Sequence, residues 1–274
     1  MGVKERRTKI LLALILASDL NEQSLTSTNV NLSPVKLSEK IQKIFDFSFN
    51  QKTKGTISGL IKEGLIEKVI QSTNSPNTLP SSLSDNDFAA LIKYRLTEKG
   101  FYALCLEFPF FRFIKDKWDG RWRIISYEIP ESKREIRDRL RRSMQGWGLG
   151  PWHRSFWITP HPILNNLRDL VSGREEEKYI QAFEADHNFG DKKNLLEKVW
   201  AISQLDKKYR ELFRFWHEVL SKEGDKIEKL KKIITNYISL LRNDPGLPQE
   251  LLGKNWIGFE GFNIYKEIKN ILLA

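Results

Sequence analysis

A stretch near the middle of the chain constrains the fold more than any other. It begins with Trp122 to Ile129, an apolar run typical of a strand, which ends at Pro130 because proline cannot donate to a ladder. Residues 131–144 then place apolar side chains at helical spacing. A glycine-rich break at 146–150 precedes a second strand candidate, Arg154 to Thr159. Strand, helix, loop and strand in this order form the first half of a ferredoxin-like unit.

Composition limits the class of protein. The chain has 274 residues, 40% of them hydrophobic, which suits two or three small domains with buried cores. Its single cysteine, Cys105, excludes an internal disulfide and fits a reducing cytoplasm. The apolar run Ile10 to Ala17 is too short to span a bilayer and lacks a cleavage site, so we expect a cytoplasmic protein without a membrane segment. The net charge of +10 favours an acidic partner, nucleic acid first and an anionic membrane surface second.

Three helices are predicted near the amino terminus. The first covers residues 4–20 and buries one apolar side. The second starts at Ser33 and Pro34, which suit a helix cap and a first helical turn. The third covers about residues 52–63 and stops at Gly64. The apolar side chains expected to be buried in the first two helices are Ile10, Leu11, Leu14, Ile15, Leu37, Ile41, Ile44 and Phe45.

A hairpin is predicted after these helices. Its strands lie at 65–70 and 91–96, where Ile, Val and Leu are frequent. The segment 71–87 between them is rich in Ser, Asn and Pro and is expected to be a loop, and Thr97 caps the next helix. Three helices before a hairpin with a long tip are the layout of a winged helix-turn-helix. A protein-interaction module of the same layout is the alternative.

The third helix has the composition of a DNA-reading helix. Its amino-terminal half carries small polar and basic side chains that can reach base edges in the major groove. Gly55 has no side chain that would hold the helix away from the DNA. Basic side chains farther along the helix and near the wing can meet phosphates. The expected DNA-binding residues are Gln51, Lys52, Thr53, Lys54, Thr56, Ser58, Lys62, Lys93 and Arg95. An ordinary solvated helix face is the alternative, since Lys and Thr are common on any surface.

The predicted helix over residues 133–142 is rich in arginine and is a candidate for a second nucleic-acid surface. However, Glu135 lies four residues before Arg139, and Asp138 lies four before Arg142. Opposite charges at this spacing neutralise each other on a helix, so a self-paired, solvated face is the favoured interpretation.

Glu128, at the end of the first central strand, is the strongest candidate for a metal ligand or a general base. No second carboxylate or histidine follows it at useful spacing, and zinc-ligand spacings and glycine-rich phosphate loops are absent. His153 and Ser155 lie two residues apart, but no acid is placed to orient the histidine. We therefore expect no catalytic residue, no metal and no cofactor, and we expect Glu128 to be an ion-pair partner.

The carboxy-terminal part is predicted to be helical from about residue 194, with aromatic and leucine side chains at the spacing of a buried helix face. A further helix is predicted at 226–241. A linking segment at 243–252, which contains proline and glycine, leads to a last helix from about Phe262. This part is a candidate for dimerisation or for a ligand pocket, and periodicity alone leaves both open.

Three blocks of the sequence resemble the PaaX-like family of bacterial transcriptional repressors. They read WDGRWRIISYEIPESKREIRDRLRRSMQGWGLGPWHRSFWITPH, LLEKVWAISQLDKKYRELFRFW and NDPGLPQELLGKNWIGFEGFNIYKEI. The resemblance implies an α+β protein of three domains. We expect an amino-terminal winged helix-turn-helix at 1–107, a central ferredoxin-like domain similar to a CRISPR spacer-acquisition ribonuclease at 108–165, and a helical carboxy-terminal domain at 166–274.

The same resemblance implies how such a protein works. It implies a homodimer that binds a palindromic operator in double-stranded DNA and is released by an aryl-acyl-CoA or another small-molecule inducer. In the similar ribonuclease an aspartate ends the first strand, whereas this chain has the longer Glu128. The expected function is therefore a DNA-binding transcriptional repressor and not an enzyme. The alternatives are a metal-dependent nuclease that uses Glu128, and a protein-interaction or CRISPR-adaptation scaffold.

Overall fold

The structure, a computed structural model, describes residues 1–19, 32–70, 91–114 and 117–274. The chain divides into two compact units. Unit 1 consists of residues 1–104, 222–235 and 268–274, and unit 2 consists of residues 105–221 and 236–267. The predicted loop at 71–87 lies outside the described residues.

Unit 1 contains the predicted helices and hairpin of the amino-terminal region. The elements are α1 (Val3–Leu16), α2 (Glu39–Ile44), α3 (Gln51–Lys62), β1 (Ile66–Ile70), β2 (Ile92–Leu96) and α4 (Glu98–Cys105). β1 and β2 pair antiparallel. Every side chain from Ile10 to Leu16 is buried, and not only the one apolar side that the sequence predicts, because this half of α1 is apolar all round. α1 contacts both α3 and β2. The predicted cap of α4 is confirmed, because the Thr97 hydroxyl accepts from the amide of Gly100 at 3.0 Å.

The second helix starts later than the sequence predicts. Ser33 and Pro34 lie outside any helix, and Val35 forms an isolated antiparallel bridge with Tyr94. The two residues exchange backbone hydrogen bonds of 2.8 and 2.9 Å, and α2 begins only at Glu39. This bridge holds the chain extended, so a tertiary contact overrides the local cap signal. The predicted burial of Leu37, Ile41, Ile44 and Phe45 is confirmed.

Two later segments complete unit 1. They belong to α9 (Lys226–Leu241) and α11 (Ile257–Leu273). Lys269 is only 4% exposed, and its ammonium group donates to the carbonyl of Ser18 at 2.8 Å. Lys43 and Glu228 form an ion pair of 3.4 Å. Unit 1 is thus assembled from segments that are far apart in the sequence.

Unit 2 is built on a four-stranded antiparallel sheet in the order β4-β5-β3-β6. The strands are β3 (Arg121–Tyr127), β4 (Gly150–His153), β5 (Phe156–Thr159) and β6 (Ile180–Asp186). α5 (Arg134–Gly146) lies between β3 and β4 in the chain, and α6 (Leu164–Val171) lies between β5 and β6. This connectivity and strand order are those of a ferredoxin-like fold, which confirms the predicted class of the central region.

The sequence pattern misses two strands of this sheet. The glycine-rich break at 146–150 leads directly into β4, so the predicted second strand at 154–159 is the third strand and begins only at Phe156. β6 is also missed. It lies at the edge of the sheet beside β3, and most of its side chains are exposed, so it lacks the alternation that predicts a half-buried strand.

Helices complete unit 2 and confirm the expected helical carboxy-terminal part. They are α7 (Lys192–Trp200), α8 (Ile202–Ser221), α10 (Gln249–Leu252) and parts of α9 and α11. The last helix begins at Ile257, earlier than predicted. One core cluster joins β3 to α5 and α6, and a second joins Trp122 and Ile158 to Val199. In the described parts of the chain, no helix is both long and apolar enough to cross a membrane.

Candidate nucleic-acid interface

α3 begins with a defined cap and an uncompensated positive end. The Asn50 side chain accepts a hydrogen bond from the amide of Thr53 at 3.1 Å. The first turn has no acidic side chain, and the sequence of α3, QKTKGTISGLIK, has none at all. Because the amino end of a helix carries a partial positive charge, this end of α3 favours an anion such as a phosphate.

The structure divides the predicted DNA-binding residues of α3 into two groups. The exposed group is Gln51, Lys52, Lys54, Ser58 and Lys62. Gln51, Lys54, Ser58 and Lys62 are three or four residues apart, so they lie on one stripe of the helix. This stripe is polar and basic, as the sequence predicts for a surface that meets nucleic acid.

The second group, Thr53 and Thr56, lies in the interior. Thr53 is fully buried, and its hydroxyl donates to the carbonyl of Ser48 at 2.6 Å. Thr56 is 9% exposed, and its hydroxyl donates to the carbonyl of Lys52 at 2.8 Å. Buried hydroxyls that are bonded to nearby backbone position the helix and are out of reach of a base edge. We therefore expect both threonines to position the helix rather than to touch DNA.

A groove of about 520 Å³ lies on one side of the exposed stripe. It is lined by α3, by the hairpin and by the segment before α2. Three ammonium groups line it, those of Lys36, Lys54 and Lys68. Lys54 also stands 5.9 Å above the centre of the Phe49 ring. Lys36 and Lys68 are missed by the sequence pattern, since neither lies on the predicted recognition helix.

A second groove, of about 540 Å³, lies on the other side of α3 and contains Arg6, Arg7 and Lys52. Arg7 forms a two-bond ion pair with Glu63, both distances being 2.6 Å, and this pair lowers the pKa of Glu63 and raises that of Arg7. Arg6 is 7% exposed and donates to the carbonyl of Met1 at 3.1 Å, while its Nε has no hydrogen-bond partner among the described residues. Arg6 and Arg7 are again residues that the sequence pattern misses.

The two predicted residues of the hairpin are half-buried. Lys93 lies opposite Val69 in the register of β1 and β2, and Arg95 lies opposite Glu67. Arg95 and Glu67 form an ion pair, so part of the positive charge expected there is neutralised. Arg95 is therefore held on the hairpin by its ion pair with Glu67.

The arginine-rich helix α5 is paired, but with partners other than the predicted ones. Arg139 contacts Glu176 rather than Glu135, and Asp138 contacts Arg134 at 3.6 Å rather than Arg142. Further pairs join Lys133 to Glu175 and Arg137 to Glu131. The predicted neutralisation therefore occurs largely with carboxylates outside α5, most of them on the short 3-10 helix Glu175–Tyr179. Within the described residues, Arg141 and Arg142 form no ion pair.

Glu128 is exposed, and its backbone amide donates to the carbonyl of Tyr179 at 3.0 Å. The expected ion pair of its side chain is not formed with any described residue. No group of three or more His, Cys, Asp and Glu side chains that could hold a metal ion occurs in the described residues. His153 is exposed, whereas His161 is buried, and this burial lowers its pKa to about 3. His161 is therefore neutral, and its Nε2 lies 3.3 Å from the carbonyl oxygen of Pro245.

Comparisons with known proteins found family matches for most of the second half of the chain. The family description "PaaX protein central Cas2-like domain" matches residues 115–196, and "PaaX-like protein C-terminal domain" matches residues 200–274. A search of curated proteins found no match. Among solved structures, the chain is similar to an uncharacterized protein from Mycobacterium tuberculosis, at 15% sequence identity over 87% of each chain and with a TM-score of 0.48.

Proposed function

This chain belongs to the PaaX-like family, and from that premise we propose that it is a cytoplasmic, sequence-specific DNA-binding transcriptional repressor and not an enzyme. In this proposal α1 to α3 and the β1–β2 hairpin form a winged helix-turn-helix, with α3 as the recognition helix. The observation that carries the proposal is the exposed, acid-free stripe of α3 between two grooves lined with basic side chains.

The dimensions and chemistry of α3 support this role. A helix of 12 residues is about 18 Å long, and an α-helix fits the major groove of B-DNA. Gln51 and Ser58 offer hydrogen-bonding groups for base edges, whereas Lys52, Lys54 and Lys62 offer charge for phosphates. Lys36, Lys68 and Arg7 extend the basic surface on either side. Lys93 and Arg95 are kept as secondary phosphate contacts near the wing.

The partners of the proposed repressor follow from the family resemblance. We expect a homodimer on a palindromic operator, because two-fold protein symmetry is matched by two-fold symmetry of the DNA site. We also expect release from DNA by an aryl-acyl-CoA or another small-molecule inducer. Sedimentation of the free protein tests the dimer. Competition between the candidate inducer and labelled operator tests the release.

The decisive experiment enriches bound fragments of the native genome and then measures affinity for the enriched site. The double variant Lys52→Ala and Lys54→Ala removes two proposed phosphate contacts, so we expect weaker binding and a salt dependence reduced by roughly two counterions. The matched control is Lys207→Ala with Lys208→Ala, which removes the same charge from an exposed face of α8. We expect this control to bind as the parent does.

A second comparison distinguishes residues that read bases from residues that contact phosphates. Replacing Gln51 and Ser58 by Ala should weaken binding to the enriched site more than binding to random DNA, whereas the lysine variant should weaken both. Equal affinity of the lysine variant and the parent for the enriched site would overturn the assignment of α3. Fragments enriched evenly over the genome would instead favour a scaffold without operator specificity.

A further inference from the structure

Unit 2 contains a cavity of about 440 Å³ that none of the functional residues above explains. It lies where the end of α5, the start of β4, the junction of α7 and α8, and the segment after α9 come together. This volume falls in the range of small-molecule sites. The lining residues used below are Arg142, Leu149, Trp200, Arg242, Asp244 and Pro245.

The walls of the cavity are fixed by close packing around glycines. Gly148 has a φ of +81°, and a Cβ there would lie 2.7 Å from the carbonyl oxygen of Pro245. A Cβ on Gly150 would lie 1.9 Å from Cγ1 of Val199. The Trp200 indole donates to the carbonyl of Gly148 at 3.0 Å, which fixes the ring against the wall. These contacts hold the walls of the cavity in place, as expected of a binding site that is largely preformed.

Two guanidinium groups give the cavity a positive edge. Arg242 is oriented by an ion pair with Glu107 at 3.2 Å and by the Phe108 ring, whose centre lies 4.8 Å from the guanidinium carbon. Arg142 is exposed at the end of α5 and has no ion pair among the described residues. Arginine presents planar, paired donors that match a carboxylate or phosphate.

Among the described residues, Asp244 is the only carboxylate that lines the cavity, and both of its oxygens already accept hydrogen bonds. One accepts from the Tyr209 hydroxyl at 2.6 Å, and the other accepts from the amide of Gly246 at 2.8 Å. It is 2% exposed, so it offers little charge to a ligand. The remaining lining combines the polar side chains of Gln145 and Asn243 with an apolar part formed by Leu149, Pro245 and the Trp200 ring among others.

We propose that this cavity binds a small organic anion with a flat apolar body, held at its charged end by Arg142 and Arg242. The apolar body lies against Trp200 and Leu149. A few charged groups beside an apolar surface are typical of a site that orients an amphipathic ligand. The assignment of this cavity as the effector site of the repressor rests on the proposed function. Binding of a ligand to the cavity is tested without DNA.

The test is isothermal titration calorimetry of the full chain with naphthoate and with its neutral isostere naphthamide. We expect naphthoate to bind at least tenfold more tightly than naphthamide, because the amide lacks the charge that the two arginines recognise. Arg142→Gln and Arg242→Gln should each weaken naphthoate binding about tenfold and leave naphthamide binding nearly unchanged. The matched control is Arg141→Gln, the neighbouring exposed arginine, which does not line the cavity and should bind as the parent does.

Three outcomes would overturn the inference: no binding of naphthoate at millimolar concentration, equal affinity for the acid and the amide, or equal effects of Arg141→Gln and Arg142→Gln. Tryptophan fluorescence confirms that each variant is folded. The proposed function fails separately, in the DNA-binding experiment. If the chain binds naphthoate through Arg142 and Arg242 but binds no operator, the binding site is supported and the repressor function is refuted. If the chain binds its operator but not naphthoate, the repressor function is supported and the binding site is refuted.

Discussion

The buried pair of Tyr209 and Asp244 makes a quantitative prediction about the stability of unit 2. The Tyr209 hydroxyl donates to the Asp244 carboxylate at 2.6 Å, and both residues are at most 2% exposed. Tyr209→Phe removes only this hydroxyl, and the ring keeps its edge-to-face contact with Trp256. The carboxylate is then left with the amide of Gly246 as its other donor.

The size of the effect depends on the charge of Asp244. Burial raises the pKa of this carboxyl from 3.8 to about 6, against the hydrogen bonds from Tyr209 and Gly246, which lower it. Near pH 8 the group is ionised, and a hydrogen bond to a buried charge is worth about 2 kcal/mol. Near pH 5 it is mostly protonated, and the bond is worth about 1 kcal/mol. Tyr209→Phe should therefore lower the free energy of unfolding about twice as much at the higher pH.

The sign of the pH dependence follows from proton linkage. Because the folded state keeps the Asp244 proton to a higher pH than the unfolded state does, the contribution of Asp244 to stability falls as the pH rises from about 4 through 6. Loss of the Tyr209 hydroxyl raises the pKa of Asp244 further, so the fall continues to a higher pH and is larger in total. The buried His161, with a pKa of about 3, is common to parent and variant and cancels in the difference.

Urea unfolding followed by tryptophan fluorescence measures this effect, and the fluorescence signal comes from unit 2. All eight tryptophans belong to unit 2: Trp118, Trp122, Trp147, Trp152, Trp157, Trp200, Trp216 and Trp256. The matched control is Tyr237→Phe, because the buried Tyr237 hydroxyl has no hydrogen-bond partner among the described residues. Its removal should be neutral or slightly stabilising. An equal loss for Tyr209→Phe at both pH values, or a loss no greater than that of Tyr237→Phe, would refute the reasoning.

Three further predictions concern other parts of the chain. Asn50→Ala removes the cap of α3 and should cost about 1 kcal/mol, seen by circular dichroism without a change in the tryptophan transition; a shifted tryptophan transition would contradict it. Gly150→Ala should destabilise unit 2 by roughly 2 kcal/mol or more, and Val199→Ala in the same chain should recover part of this loss, because the added Cβ meets Val199; purely additive losses in urea unfolding would exclude that clash as the cause. Glu128→Ala should leave operator affinity unchanged, and neither it nor the parent should degrade RNA or DNA with magnesium or manganese; cleavage by the parent that the variant abolishes would favour the nuclease.

The sequence predicts the elements with strong periodicity and misses those whose pairing is tertiary. α5 and β3 are predicted because their apolar side chains repeat at 3.6 and 2 residues and face one core. β6 is missed because its exposed edge gives no such repeat. The start of α2 is misplaced because the bridge from Val35 to Tyr94 joins residues that are distant in the sequence.

The candidate interface shows the same limit. The lysines of α3 are exposed, as a polar helix face suggests, whereas Thr53 is polar yet fully buried. A threonine hydroxyl can be satisfied by a nearby carbonyl, here that of Ser48, so residue type alone does not reveal on which side of the helix it lies. Arg7, Lys36 and Lys68 join the surface only because folding brings other segments beside α3.

The division of unit 1 among three stretches of the chain bears on its biosynthesis. A ribosome releases residues 1–104 long before residues 268–274, so the carbonyl of Ser18 waits for the ammonium group of Lys269, which follows it 251 residues later in the chain. A prematurely terminated chain would carry the whole of α3 and yet lack part of the unit that supports it. Such fragments should be degraded by proteases more readily than the folded unit.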